Sequence, residues 1–188
     1  MRKRDDEKEK SIKEAVIKLI LEEGFHGTSI SKIAKMAGVS PATVYIYFEN
    51  KDIMLQDIYN EYAEEIFDYL IESINRDMQG QQLIEILITS YYNYICGNKE
   101  VFSFVEQFSH CPSLANRCTQ NRGLCKINDL ILEMKSNQII KNYSNDNLLA
   151  IMFYPVKSIA VDHYKSEEEK VKLLKELIGI IQEALLIE

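Results

Sequence analysis

Thr28–Phe48, TSISKIAKMAGVSPATVYIYF, is the stretch that decides how this 188-residue sequence is read. Ile30, Ile33, Ala34 and Ala37 share one face of a short helix, which Thr28 or Ser29 can cap. Gly38 breaks that helix. Ser40-Pro41 then supplies an N-cap followed by proline at the first helical position, where a missing N–H costs nothing. The second helix runs to about Phe48, with Val44 and Phe48 turned inward one turn apart. Helix, a turn at Ala37-Gly38-Val39 and helix together make a helix-turn-helix, a unit that can place its second helix in a DNA major groove. The coarse pattern alone equally admits a helical hairpin that only packs.

Outward from this unit the helical spacing continues nearly everywhere, and alternating strand-like runs are absent. Upstream, Ile12, Ala15, Val16, Leu19 and Ile20 form one helical face that stops at Gly24. Downstream, Asn50 can cap a long helix starting near Lys51, with no Gly or Pro before Gly80. Leu83 to Ile95 is apolar on nearly all sides, as a central buried helix would be. Further helices are expected over 98–109, 112–141, and from Asn145 to about Tyr164 with a kink near Pro155. Ser166-Glu167-Glu168-Glu169 reads as a capping box opening the last helix. The class is all-α: a three-helix head, residues 1–53, joined by the long helix to a helical body, residues 54–188.

Charge supports that division. The net charge is −7, yet residues 1–53 carry ten Lys/Arg against nine Asp/Glu, and the remainder twelve against twenty. A basic-leaning head on an acidic body suits a protein that meets phosphate at one end only. The charged N-terminus has no secretory core after it, and no run is long and apolar enough to span a membrane, so a cytoplasmic location is expected. Cys111, Cys118 and Cys125 are spaced by seven, about 10.5 Å along one helix, too far for a disulfide or a shared zinc. Reduced, mostly structural thiols are expected, Cys96 included.

On the second helix of the motif, Ser40, Pro41, Ala42, Thr43, Tyr45 and Tyr47 remain as candidates for the groove. Small Ala and Thr groups can touch a thymine methyl, while Ser and Thr hydroxyls can pair with base edges or phosphates. Tyrosine hydroxyls more often meet phosphate, which positions without reading sequence. Helix starts near Thr28 and Lys51 also offer N–H groups to phosphate.

The run from Ile12 through Leu55 narrows these alternatives. Its Gly24-Phe25, Thr28-Ser29-Ile30, Ile33-Ala34, Ala37-Gly38-Val39-Ser40 and Val44-Tyr45-Ile46-Tyr47-Phe48-Glu49-Asn50-Lys51 together resemble the N-terminal domain of the tetracycline-repressor (TetR) family. The resemblance covers about a quarter of the chain. It implies a DNA-binding transcriptional regulator. It further implies a phosphate contact at Thr28 beside Ser29, DNA contacts from Tyr45 and Tyr47, and the lysine opening the fourth helix at Lys51. Ser40, Ala42 and Thr43 fall in the variable part that approaches bases. Pro41 departs from the pattern, standing where relatives often have Lys or Arg.

For the body, the resemblance implies a homodimer through the last two helices and a small, often apolar effector that releases double-stranded operator DNA. The last helix carries two apolar seams, Val171/Leu174/Ile178/Ile181/Leu185 and Leu173/Leu177/Ile180/Ala184, enough for a core and a partner. One broad core face would carry the same residues. Tyr62, Phe67, Tyr91, Tyr92, Tyr94, Phe102, Phe104 and Phe108 are candidates to line an effector cavity, although aromatics at helical spacing also build plain cores. Glu106 and His110 lie one turn apart but lack a third ligand, so no metal site is expected. No cofactor is expected either. There is no Gly-rich phosphate loop or nucleophile motif, and an enzyme is not expected. A ligand-independent nucleoid or cell-division factor of the same fold is the alternative to a ligand-responsive repressor.

Overall fold

The computed structural model describes residues 5–75, 78, 80–109 and 122–187. Among them are nine helices: α1 (Asp6–Gly27), α2 (Ile30–Met36), α3 (Pro41–Tyr47), α4 (Lys51–Glu72), α5 (Gly80–Gly97), α6 (Lys99–Ser109), α7 (Arg122–Ser136), α8 (Asn145–Ala160) and α9 (Glu167–Leu185). Among the described residues no strand forms; Ile140 and Leu186 make an isolated antiparallel bridge. The all-α expectation holds.

The helices pack as two compact units. The first holds α1, α2, α3, α4 as far as Ala63, and α6. The second holds the rest of α4 with α5, α7, α8 and α9. This differs from a head ending at residue 53. The reason is α6, whose Phe102, Phe104, Val105 and Phe108 are buried and which packs on α1.

In the first unit, Ile12, Val16 and Ile20 of α1, Ile33 of α2, Val44 of α3 and Met54 and Ile58 of α4 are almost wholly buried. Lys13 adds a polar tie from α1 to α4, its Nζ lying 2.6 Å from Glu61 Oε2. Gly24 interrupts α1 at φ 72°, ψ 176°, a conformation that side-chain-bearing residues avoid. The turn after α2 is a Schellman motif. Gly38 at φ 68° donates to Lys35 O at 3.3 Å, and Val39 N donates to Ala34 O at 2.9 Å. Asn50 caps α4 as expected, its Oδ1 accepting from Ile53 N at 2.9 Å.

α4 stops at Glu72 rather than running toward Gly80. Ser73 Oγ donates to Leu70 O at 2.7 Å and Ile74 N donates to Ile71 O at 3.2 Å, a tightened last turn that closes the helix without glycine.

In the second unit, α5 is buried on most sides through Leu83, Ile84, Leu87, Ile88, Tyr92, Tyr94 and Ile95, and packs on α8 and α9. The predicted capping box is present: Ser166 Oγ accepts from Glu169 N at 3.3 Å, and Ser166 N donates to Glu169 Oε2 at 2.8 Å. α8 contains Pro155 and ends at Ala160, short of Tyr164.

Of the helical segment expected over 112–141, the described part is α7, which ends at Ser136. Gln138 takes the left-handed conformation, φ 56°, donating to Lys135 O at 3.0 Å while Ile139 N donates to Met134 O at 2.8 Å. That is a second Schellman cap, built without glycine. Cys96 and Cys125 are both free thiols, the first half-buried and the second exposed. Cys111, Cys118 and His110 lie outside the described residues.

Gln138 carries a side chain where glycine avoids a steric cost of about 1 kcal/mol. Gln138→Gly should therefore raise unfolding stability by about 0.5–1 kcal/mol, read as a higher urea midpoint at unchanged slope. An unchanged or lower midpoint would mean that the left-handed cap is not formed.

Candidate nucleic-acid interface

α3 has seven residues, PATVYIY, none of them charged. Val44 is fully buried and Phe48, its C-cap residue, is 5% exposed, which fixes the opposite side of the helix outward. Pro41, Ala42, Tyr45 and Ile46 are exposed, while Thr43 and Tyr47 are half-buried. Ala42 and Ile46 stand one turn apart, opposite the Val44/Phe48 seam.

Most of the polar groups here are engaged within the protein. Ser40 Oγ accepts from Thr43 N at 3.1 Å as the N-cap and lies 2.9 Å from Thr43 Oγ1. Tyr47 Oη donates to Asp5 O at 3.0 Å and accepts from Asp5 N at 2.9 Å, tying the end of α3 to the start of α1. Ser29 is exposed and caps α2, its Oγ accepting from Lys32 N at 3.3 Å. Thr28 is 3% exposed and its Oγ1 donates to Gly24 O at 2.9 Å.

Lys51 also faces inward. Its ammonium donates to Phe25 O and, at 2.6 Å, to Thr28 O, and it sits 4.0 Å from the centroid of the Phe25 ring. Burial lowers its pKa from the ordinary lysine value, with nearby Asp52 opposing that shift. Gly24, Phe25, Thr28 and Lys51 therefore form one corner between α1, α2 and α4. The resemblance implies a phosphate contact at Thr28 and matches Lys51 to the lysine opening the fourth helix; in this structure both polar groups bind backbone carbonyls.

Ile46, 43% exposed, joins the outward face although it is not among the candidates drawn from sequence. Helical spacing from Val44 and Phe48 is signal enough to find it. The Asp5 clamp on Tyr47, by contrast, is announced by no local pattern.

The effector candidates divide between the units. Tyr62, Phe102, Phe104 and Phe108 lie in the first, where Phe104 is wholly buried and its ring meets that of Phe108 at 5.0 Å. Phe67, Tyr91, Tyr92 and Tyr94 lie in the second. There Tyr91 meets Phe153 edge-on at 4.9 Å, Tyr92 Oη donates to Glu167 Oε2 at 3.4 Å, and Tyr94 Oη donates to Glu65 Oε1 at 3.1 Å. Burial raises the pKa of Tyr91 and Tyr92, keeping both neutral. Two pockets of the second unit, of about 950 and 400 Å³, are lined by other residues, Gln182 and Leu186 in one and Met78 and Met134 in the other.

Residues 12–58, the same segment that builds this corner and helix, match the family described as bacterial regulatory proteins, tetR family. That match places residues 12–58 in the tetR family. The fatty acid metabolism regulator protein of Bacillus subtilis (strain 168) is 27% identical over 132 residues, 70% of this chain and 60% of that relative's length. A TetR family transcription regulator from Marinobacter aquaeolei VT8 shares the fold with a TM-score of 0.82 at 24% identity, over 100% of both chains. The transcriptional regulator FadR from Bacillus subtilis, solved in complex with stearoyl-CoA, gives a TM-score of 0.72 at 22% identity, over 92% of this chain and 97% of its own. The helix-turn-helix lies within the matched segment, and a helical second unit follows.

The position of Lys51 has a measurable consequence. Lys51→Met removes two hydrogen bonds to carbonyls and should cost about 1–2 kcal/mol of folding stability, seen in urea unfolding. In DNA titrations the slope of log affinity against log salt should match the unaltered protein, because no phosphate contact is lost. A slope shallower by about one would put the ammonium on a phosphate instead.

Proposed function

We propose that this chain is a ligand-responsive transcriptional repressor of the tetR family that binds a palindromic operator as a homodimer. The first unit is the DNA-binding part, with α3 as recognition helix. The second unit serves dimerisation and effector binding. The observation that carries the reading is the exposed face of α3, held by Val44 and Phe48 inside a segment that matches the family's model. Two such helices in a symmetric dimer meet successive major grooves roughly 34–36 Å apart.

Support for the dimer comes from α8 and α9, which pack on one another. Of the two seams on α9, Leu174, Ile178, Ile181 and Leu185 are buried, whereas Ile180 is 57% exposed and Leu173 and Leu177 are half-buried. On α8, Ile151 and Tyr154 are 40% and 63% exposed. These outward apolar side chains on adjacent helices are surface that a second copy would cover. A dimer seated on a promoter excludes polymerase without further contacts, which favours repression over activation.

The effector is proposed as a small, largely apolar molecule. A relative named for fatty acid metabolism and a structural neighbour holding stearoyl-CoA support a long-chain acyl ligand as the first class to test. Such a ligand releases DNA only if it binds the DNA-incompetent state more tightly.

Selection of bound fragments from the source genome should recover one palindrome; no enrichment over bulk DNA would overturn the reading. Ile180→Glu places a charge on the outward seam. It should shift the protein from dimer to monomer in sedimentation and weaken operator binding by roughly tenfold or more, since the second half-site no longer adds avidity. An unchanged dimer would remove α9 from the interface.

A further inference from the structure

We infer that α3 reads thymine 5-methyl groups by carbon contact, so that the half-site is selected for T·A pairs under Ala42 and Ile46 rather than for guanine. This rests on the proposed operator binding and specifies what the recognition helix recognises.

The polar atoms on the helix lead to this reading. Hydrogen-bonded discrimination in the major groove relies chiefly on Arg or Lys at guanine and Asn or Gln at adenine. Ser40–Phe48 contains none of the four. Three of its four hydroxyls are engaged: Ser40 Oγ and Thr43 Oγ1 with one another, Ser40 Oγ also by the backbone N–H of Thr43, and Tyr47 Oη by both backbone groups of Asp5. Asn50, just beyond, uses its Oδ1 to cap α4. Among the described residues the Tyr45 hydroxyl has no hydrogen bond. One rotating O–H can donate or accept, however, so it separates base pairs poorly.

What remains on the outward side is carbon: the Pro41 ring, the Ala42 methyl, the Ile46 side chain and the ring of Tyr45, which is 56% exposed. Ala42 and Ile46 lie farthest from the buried seam. The thymine 5-methyl is the one apolar group that unmodified base pairs present in the major groove. A carbon-faced helix therefore gains from thymine. The donors and acceptors of G·C and A·T go equally unanswered by carbon, so the methyl contact is what separates the two pairs.

The test replaces each thymine of a duplex, selected by this protein from a random-sequence library, with deoxyuridine in turn. Pairing is kept and only the methyl group is lost. At thymines under α3 the affinity should fall about fourfold per methyl, the effect of burying one carbon. In Ala42→Gly and Ile46→Ala, both surface changes checked by thermal unfolding, that fall should shrink at the thymine each side chain covers. A selected duplex that binds equally well with uracil at every position overturns the inference and leaves operator binding standing. So does an undiminished uracil effect in both variants, or a consensus dominated by invariant guanines under α3. Failure to select any duplex overturns operator binding and the inference together.

Discussion

A helix of seven residues cannot hold itself in water, because nucleation costs more than so few hydrogen bonds return. α3 exists because Val44 and Phe48 are buried, and the same two side chains decide which way it faces. Both ends are tied as well, by the Ser40 cap at the start and by the Tyr47–Asp5 hydrogen bonds at the finish. Recognition by this helix depends on that attachment. A rotation of one residue would bring Tyr45 inward and present a different surface.

The corner between α1, α2 and α4 is polar. Gly24 turns the chain at a positive φ, Thr28 closes the turn onto Gly24 O, and Lys51 gathers the carbonyls of Phe25 and Thr28. A cation offered several carbonyls and an aromatic face loses some hydration but keeps its charge satisfied. The effect is to fix where α2 starts relative to α4. Thr28, Tyr47 and Lys51, offered by the sequence as DNA contacts, are thus bonded within the protein in this structure, while Tyr45 stays on the outward surface beside small and apolar groups.

Much of this is legible in the amino-acid sequence. Ser40-Pro41, Gly38, Asn50 and the Ser166 box are local signals whose chemistry needs only neighbouring residues, and each forms as expected. Helical periodicity also separates the inner seam of α9 from the outer one. The features that escape the sequence share a cause. α4 and α7 end on carbonyl-bonded turns without Gly or Pro, and Gln138 adopts a glycine-like conformation, so no residue type announces the stop. α6 joins the first unit by packing on α1, a contact distant in sequence. The inward turn of Lys51 and the clamp on Tyr47 are likewise long-range. A sequence motif names the residue, whereas only the folded chain shows which of its atoms are already in use.

Operator binding of the kind proposed brings two copies of α3 to successive major grooves of one duplex, and a hydroxyl-radical footprint on the selected operator reads that arrangement. Two protected patches are expected on one face of the DNA, centred one helical turn, roughly 34–36 Å, apart or a multiple of it, and related by the palindrome's two-fold axis. A single protected patch, or protection spread evenly along the fragment, would contradict a dimer placed in this way.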